Sequence, residues 1–457
     1  MFPAVSPDAS ALGSSSPVSP ADRIATLVVT LAYIALQLAL GMAHEPWRDE
    51  AQAWLWAQSL STPLEFFVIP GEGHPPLWYW LLRGMSLFTD FSHARYLTVA
   101  IAIGNALLLA RLLRGDVMLL AMLLFSHVLV QAWGYGFRPY GLVFSALLIA
   151  MLLHRRGRSV AATWAMALAC GLHFFAGFLF GFWLLQQMRR GTRLTSLLAP
   201  ALLAILFGIS ALLSGMGNPE GIPESTGVIQ KIGFNLAWPM TWPALRVWPA
   251  AVLTLALLCY GLWRDRFTLA ALLVLTTIFA VGAAAVYGHA PWHAAFMMML
   301  AVMAFLFAGA AARRWVLLLL LAPQMLAGVS VAMARLQHPV WTKPDLYGAI
   351  LADAGPGFDP ASQLVGWQDF IMSPMAAIHG ITYVSGNNGD RLGPVDWRRR
   401  SEDAIDPVVV SIPTPYWLVC GECAPVLAVI TGAGRKPTEL ASTINADDGP
   451  VSAYRID

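Results

Sequence analysis

What most constrains this chain is a repeated alternation of long apolar runs with short arginine-bearing connections. Apolar runs lie near 24–43, 95–113, 117–134, 139–154, 159–170, 172–187, 194–214, 247–263, 267–287, 293–311 and 315–333. Such runs read as membrane helices, because in hydrocarbon every backbone N–H and C=O must be satisfied within its own segment. Only 12% of the residues are charged and 58% are hydrophobic, whereas soluble domains carry ~25% charge. The expected fold is an α-helical polytopic membrane protein of about 11 spans.

The arginines choose its orientation. The groups RLLRGD (111–116), HRRGR (154–158), MRRGTR (188–193), RDR (264–266) and ARR (312–314) fall at every second connection and hold twelve arginines. Basic loops stay in the cytoplasm, so these five connections face inward and the others outward. One helix over 159–187 would put two clusters on opposite sides. Two short helices turning near Gly171-Leu172-His173 keep both inside. Residues 1–22, rich in Ser, Pro and Ala, are expected to form a disordered cytosolic tail before an uncleaved first span. The formal charge of +2 says little about partners, and nucleic acid is not expected among them.

Residues 23–334 form the expected transmembrane domain, and its first outward loop, 44–93, is more than a connection. AQAWLWAQSL and PLWYWLLRGMSLF are apolar or amphipathic yet short. They predict two helices at the outer interface, with Trp47, Trp54, Trp56, Trp78 and Trp80 suited to headgroup depth. The alternative is that 76–90 dips into or crosses the membrane. From 335 to 457 the composition turns polar. QLVGWQDFIM, GITYVS, DPVVVSI, YWLVCG, VLAVITG and SAYRID have strand character, predicting a small extracytoplasmic α/β domain. Cys420 and Cys423 form a C-x-x-C, read as a local disulfide because no second ligand pair of zinc spacing accompanies it.

Candidate chemistry gathers on the outward side. Asp49 and Glu50 follow Trp47-Arg48 after the first span. One carboxylate could act as general base toward an acceptor hydroxyl or amine; equally, an acid there could cap the helix that follows. Adjacent helical residues diverge by about 100°, so at most one can face a given atom; the reading takes Asp49 as base and Glu50 as orienter or metal-side ligand. GEGHPPLWYW (71–80) supplies a turn, a stiff Pro75-Pro76 and His74, which could bind a phosphate or acceptor, or help hold a divalent ion, or merely precede a structural kink. Arg138, in WGYGFRPYG, could hold a lipid phosphate between Tyr135 and Tyr140, or snorkel to headgroups. Arg48, Arg83, Arg95, Lys231 and Arg246 are further outward cations. His173, His289 and His293 join His44 and His74 in a histidine-bearing rim.

WRDEA (47–51), GHPPLWYW (73–80) and YGFRPYG (135–141), in this order and on one face, resemble the GT-C superfamily of polytopic glycosyltransferases, such as protein O-mannosyltransferases and aminoarabinose transferases. The resemblance covers about the first 190 residues. It implies a GT-C-like fold, a polyprenyl-phosphate sugar as donor and an acceptor outside the cytoplasmic (inner) membrane of a bacterium. It places the catalytic acid on Asp49, and the leaving phosphate near Arg138, His74 or another outward cation. The family's Arg-Pro site often continues with an acid, where this chain has Tyr140. A divalent cation is compatible with this chemistry but not required, and no metal ligand set is assigned. The rival class is a transporter or flippase of a lipid-linked or envelope precursor, which would carry polar residues mid-span on broken helices. Here charge clusters at span ends, with Gln37 and Asn105 among few exceptions. The sugar and the acceptor are not legible.

Overall fold

The computed structural model describes residues 19–44, 46–216, 227–238, 247–286, 290–337, 346–395, 404–445 and 449–457. The first helix, α1 (Pro20–Ala43), starts where Ser19 accepts a bond from Asp22 N at 3.1 Å and Pro20 presets the first turn. Two short helices follow, α2 (Arg48–Ser59) and α3 (Leu77–Ser86), then the single turn α4 (Phe91–Ala94). The expectation of two helices within 44–93 holds. Trp54 and Trp78 face the protein interior, however. They are 0% and 1% exposed, packed around Phe91 and Phe137.

The remaining apolar runs are all helical. They form α5 (Tyr96–Leu112), α6 (Val117–Leu124), α7 (His127–Val130), α8 (Tyr140–Arg155), α9 (Ser159–Cys170), α10 (Ala176–Arg189) and α11 (Leu194–Gly215). A short α12 (Val228–Leu236) precedes α13 (Val247–Leu262), α14 (Arg266–Val286), α15 (Pro291–Ala308) and α16 (Arg314–Gln337). Among the described residues six helices are long and apolar enough to cross a membrane. Helix α6 and the stretch His127–Tyr135 that begins with α7, bent by 59°, make a seventh if counted as one broken span. Helices α8, α9, α10 and α13 have 16, 12, 14 and 16 residues, shorter than the ~20 that span a bilayer. As expected, the 159–187 stretch is two helices turning at Gly171–Phe175.

At the end of α7, carbonyls freed from the helix find partners on α1. Leu129 O accepts from Tyr33 Oη at 2.6 Å and from Gln37 Nε2 at 3.3 Å, and Val130 O accepts from Gln37 Nε2 at 3.1 Å. The polar side chain in the first span therefore repairs a bent neighbour, which is how broken helices persist in hydrocarbon.

The five arginine groups are linked to one another. Arg155 donates to Leu112 O, Arg190 meets His154 Nε2 at 2.7 Å, Arg189 pairs with Asp265 at 2.7 Å, and Arg314 pairs with Asp116. Arg313 N adds a bond to Gly261 O at 2.8 Å. All five connections thus belong to one end of the bundle, as the alternation in sequence requires.

Beyond α16 the chain builds α17 (Leu346–Ala354), α18 (Pro360–Gln363), β1 (Leu364–Trp367), α19 (Ser373–His379), β2 (Tyr383–Ser385) and β3 (Arg391–Leu392). It continues with α20 (Val408–Ser411), β4 (Tyr416–Cys420), α21 (Ala424–Gly432), β5 (Pro437–Asn445) and β6 (Gly449–Ile456). The sheet order is β3-β2-β1-β4-β6-β5, with β1 parallel to both β2 and β4 and the other pairs antiparallel. Two expected strands are helices instead. In DPVVVSI, Asp406 Oδ1 accepts from Val408 N at 2.8 Å and starts the α20 turn. In VLAVITG, Val426 and Ile430 are the buried residues of α21, four apart on one face. Cys420 and Cys423 are joined in the expected disulfide.

One face of this α/β layer packs on a core of its own, with Val365, Leu418, Val426 and Ile430 among its buried residues, and the other face shares a core with the bundle. Ala51, Trp54, Leu55, Trp78 and Leu82 from α2 and α3 share one buried cluster with Leu364, Met372, Ala376, Tyr383 and Trp417. Gln52 joins the two parts by hydrogen bonds. Its Nε2 donates to Val395 O, and its Oε1 accepts from Val395 N at 3.0 Å and Ser373 Oγ at 3.3 Å.

Candidate functional site

The site is built where α2 begins. Glu50 is 3% exposed, and its carboxylate is consumed by structure. Oε2 accepts from Trp47 N at 2.8 Å, the bond of a helix cap, and Oε1 accepts from Phe137 N at 2.7 Å. His44 Nε2 lies 2.9 Å from the same group. Asp49, one residue earlier, has a side chain 27% exposed and points elsewhere. Its Oδ2 is 3.7 Å from Arg138 Nη1 and its Oδ1 3.5 Å from Arg48 Nε. The Arg48 guanidinium lies 4.9 Å from the Phe370 ring of the α/β layer.

The Gly-Glu-Gly-His-Pro-Pro turn docks by its backbone. Gly71 N donates to Ser214 O at 2.8 Å, and Leu77 N, an orphan donor at the start of α3, donates to Gly171 O at 2.9 Å. The approach at Gly171 leaves no room for a side chain, since a Cβ would stand 2.5 Å from Leu77 Cδ1 and 2.7 Å from Phe207. The α9–α10 turn and the Pro-Pro segment are therefore one unit. Within it His74 Nδ1 donates to Glu72 O at 2.6 Å, which leaves Nε2 as acceptor toward Arg138 Nη2 at 3.3 Å. Burial, with the Arg138 charge adding to it, pushes the His74 imidazole down to about 4. His74 is thus neutral at physiological pH, and orients the guanidinium rather than adding a second cation.

Arg138 stands at the centre. Nη1 donates to Asp49 O at 3.0 Å, and the guanidinium lies 5.9 Å from the Tyr140 ring. Burial alone would lower its pKa; Asp49 first, then Tyr140, Tyr79 and Glu72, more than offset that and hold it above the ordinary value. Tyr140 therefore flanks Arg138 as expected. Tyr135 packs its ring on His44, 4.8 Å between centroids. His173 sits beneath, its ring 5.3 Å from His74 and 5.0 Å from Tyr140. Its Nδ1 accepts from Phe175 N at 3.2 Å, so the proton is on Nε2, which is buried and has no partner among the described residues. Burial, then the neighbouring His74 and His293, lower its pKa well below the usual value. His293 joins this group, 5.6 Å from His173. His289 and Arg246 lie outside the described residues.

Two residues at the site were not singled out in the sequence. Glu72 Oε2 accepts from Tyr79 Oη at 2.8 Å, and its Oε1 lies 3.4 Å from Gln52 Nε2. Burial raises its pKa, with Tyr79 and Arg138 opposing. The available signal was an acid between two glycines, two residues before His74. Gln52 carried no signal, because its role exists only across a long separation in sequence.

Among the described residues no group of three His, Cys, Asp or Glu side chains could hold a metal ion. What the arrangement offers is a reachable carboxylate at Asp49, beside a guanidinium whose direction is fixed by Asp49 O and His74. Such a guanidinium suits a phosphate oxygen. The carboxylate suits a proton acceptor.

No family model and no curated protein sequence matches the chain. A search of solved structures finds the crystal structure of ArnT from Cupriavidus metallidurans bound to undecaprenyl phosphate. The two agree with a TM-score of 0.52 over 95% of this chain and 97% of that one, at 14% sequence identity. The chain therefore has a GT-C-like fold, a polytopic helical bundle followed by a small sheet-bearing layer.

Proposed function

We propose that this protein is a glycosyltransferase that moves a sugar from a polyprenyl-phosphate carrier to an acceptor at the outer face of the cytoplasmic membrane. The observation that carries the reading is the placement of Asp49 against Arg138, with Arg138 steered by His74, at the seam between bundle and sheet. The likeness to a fold whose solved relative was bound to undecaprenyl phosphate supports the same reading. The carrier's phosphate would lie against Arg138, whose fork is held in place by Asp49 O and His74. Asp49 would take the acceptor's proton as the acceptor oxygen or nitrogen attacks the anomeric carbon, and the bond from that carbon to the carrier phosphate breaks. Arg138 would stabilise the charge that develops on the departing phosphate. Glu50 would act one step removed, by fixing the start of α2 and the 137–138 backbone. The sheet layer, seated on α2 through Gln52, would bound the acceptor side.

Profiling polyprenyl-phosphate sugars by mass spectrometry in a deletion strain, complemented with wild type or Asp49→Asn, tests this. One lipid-linked sugar should accumulate in the deletion and in the Asp49→Asn strain and clear with wild type. A wild-type profile from Asp49→Asn would remove the general-base assignment. A profile insensitive to deletion would favour transport of a lipid-linked precursor, for which the broken α6–α7 span is the supporting feature.

A further inference from the structure

The C-x-x-C at 420–423 plays no part in the site above, yet the fold gives it a particular setting. Strand β4 ends at Cys420, the disulfide closes over Gly421-Glu422, and Cys423 precedes the first turn of α21. A cross-link over so short a loop restrains the unfolded chain least, so stability alone is a weak reason for it. A helix amino terminus, by contrast, favours a thiolate, because its first N–H groups have no intrahelical acceptor and carry partial positive charge. The two sulfurs are unequal. Cys420 is 0% exposed, while Cys423 is partly exposed between exposed Glu422 on one side and exposed Ala424 and Pro425 on the other.

The surroundings of this loop lead back to α2. Gly421 is pressed so close to the β1 loop that a Cβ there would stand 2.4 Å from Ile371 Cδ1 and 2.5 Å from Gln368 Oε1. Gln368 is held at φ 63°, its N donating to Asn387 Oδ1 at 3.0 Å, and its Oε1 accepts from Glu422 N at 3.2 Å. Two residues further on, the Phe370 ring meets Arg48. Any relaxation of 421–422 therefore bears on Gln368, and through Phe370 on the residue beside Asp49.

We propose that Cys420–Cys423 is a thiol–disulfide exchange site for a dithiol oxidoreductase, and that its redox state is felt at Arg48 through Gln368 and Phe370. An incoming thiolate attacks Cys423 Sγ, the exposed sulfur, and the S–S bond breaks with Cys420 leaving as thiolate. The partner's second thiolate then attacks the mixed disulfide, forming the partner's own disulfide and releasing Cys423. Two electrons pass to this chain, and its two sulfurs take up the two protons that the partner's thiols give up.

The test uses the full-length protein in lipid nanodiscs, equilibrated with dithiothreitol redox buffers, quenched in acid, alkylated and weighed intact. The expected result is reversible two-electron reduction without denaturant. Cys420→Ser, which leaves Cys423, should take up glutathione from its disulfide; Cys423→Ser, which leaves Cys420, should do so at least about tenfold more slowly. Hydrogen exchange of the reduced protein should quicken severalfold at 368–371 and at 47–50. A disulfide that yields only after denaturant opens the sheet, or serine variants that react alike, would reduce the pair to a structural cross-link. Unchanged exchange at 47–50 would sever the link to Arg48. Neither readout depends on what the membrane-side site binds.

Discussion

Asp49 and Glu50, consecutive on α2, turn their carboxylates to different partners: Asp49 to the Arg138 guanidinium at 3.7 Å, Glu50 to the backbone N–H of Trp47 at 2.8 Å and of Phe137 at 2.7 Å. The helix cap, which the sequence could place on either acid, falls on Glu50 and leaves Asp49 as the carboxylate for the proposed base.

Substitution at the two positions should therefore separate activity from stability. Asp49→Asn is expected to abolish sugar transfer while lowering the thermal midpoint of the purified protein less than Glu50→Gln does. Glu50→Gln is expected to lower that midpoint, since each charge-assisted bond lost costs about 1.5–3 kcal/mol. Scanning fluorimetry beside the transfer assay reads both.

Arg138→Lys keeps the charge but loses the fork held by Asp49 O and His74. It is expected to weaken polyprenyl-phosphate binding by about tenfold or more, about 1.4 kcal/mol. Calorimetric titration of the lipid into nanodisc-embedded protein measures this, and unaltered affinity would place the phosphate elsewhere.

His74 should make the protein acid-sensitive. Its imidazole is pushed down to about 4 in the fold, against about 6.5 in an unfolded chain. The unfolded state then binds the extra proton first, so stability is full above about 6.5 and is lost as pH falls toward 4. The midpoint of His74→Asn should fall less steeply than wild type across that window.

Asp369 should act in the opposite sense. It is 6% exposed, Oδ2 accepts from Ser385 Oγ at 2.8 Å and Oδ1 has no partner among the described residues. Burial pushes its carboxyl up to about 7, so the stability it contributes is full below about 4 and is lost as pH rises through 7. Asp369→Asn should raise the midpoint at pH 8 relative to wild type and leave it unchanged near pH 4.

Gln52→Ala should loosen the seat of the sheet layer. It strands Val395 N and O as buried polar groups, costing about 1–3 kcal/mol. Faster hydrogen exchange at 373–379 and 394–395 with the bundle unaffected is the expected signature.

Much of this architecture was legible because membrane insertion writes it into the sequence in a coarse code. Five arginine groups at alternate connections predict one shared end, and Arg189 with Asp265 and Arg314 with Asp116 realise it. The turn at Gly171 followed from the same parity. The sheet layer was harder to read. Val408–Val410 and Val426–Ile430 are apolar runs too short for their period to separate strand from helix, and capping at Asp406 and the packing of Val426 and Ile430 beside Leu418 decided them. At the site, Asp49, His74 and Arg138 were readable as scarce polar groups at a membrane boundary. Glu72 and Gln52 were not, because their bonds to Tyr79 and Val395 arise only after the loop folds back on itself.

The cluster that α2 and α3 share with β1, β2 and β4 also sets an order of events during synthesis. Trp54 and Trp78 are made early, yet several of their neighbours in that cluster, such as Met372 and Trp417, come about 300 residues later. For that interval an apolar face beside Asp49 stands uncovered. A nascent chain in this condition is incomplete at its working end, and a surveillance protease or chaperone would recognise it by that face.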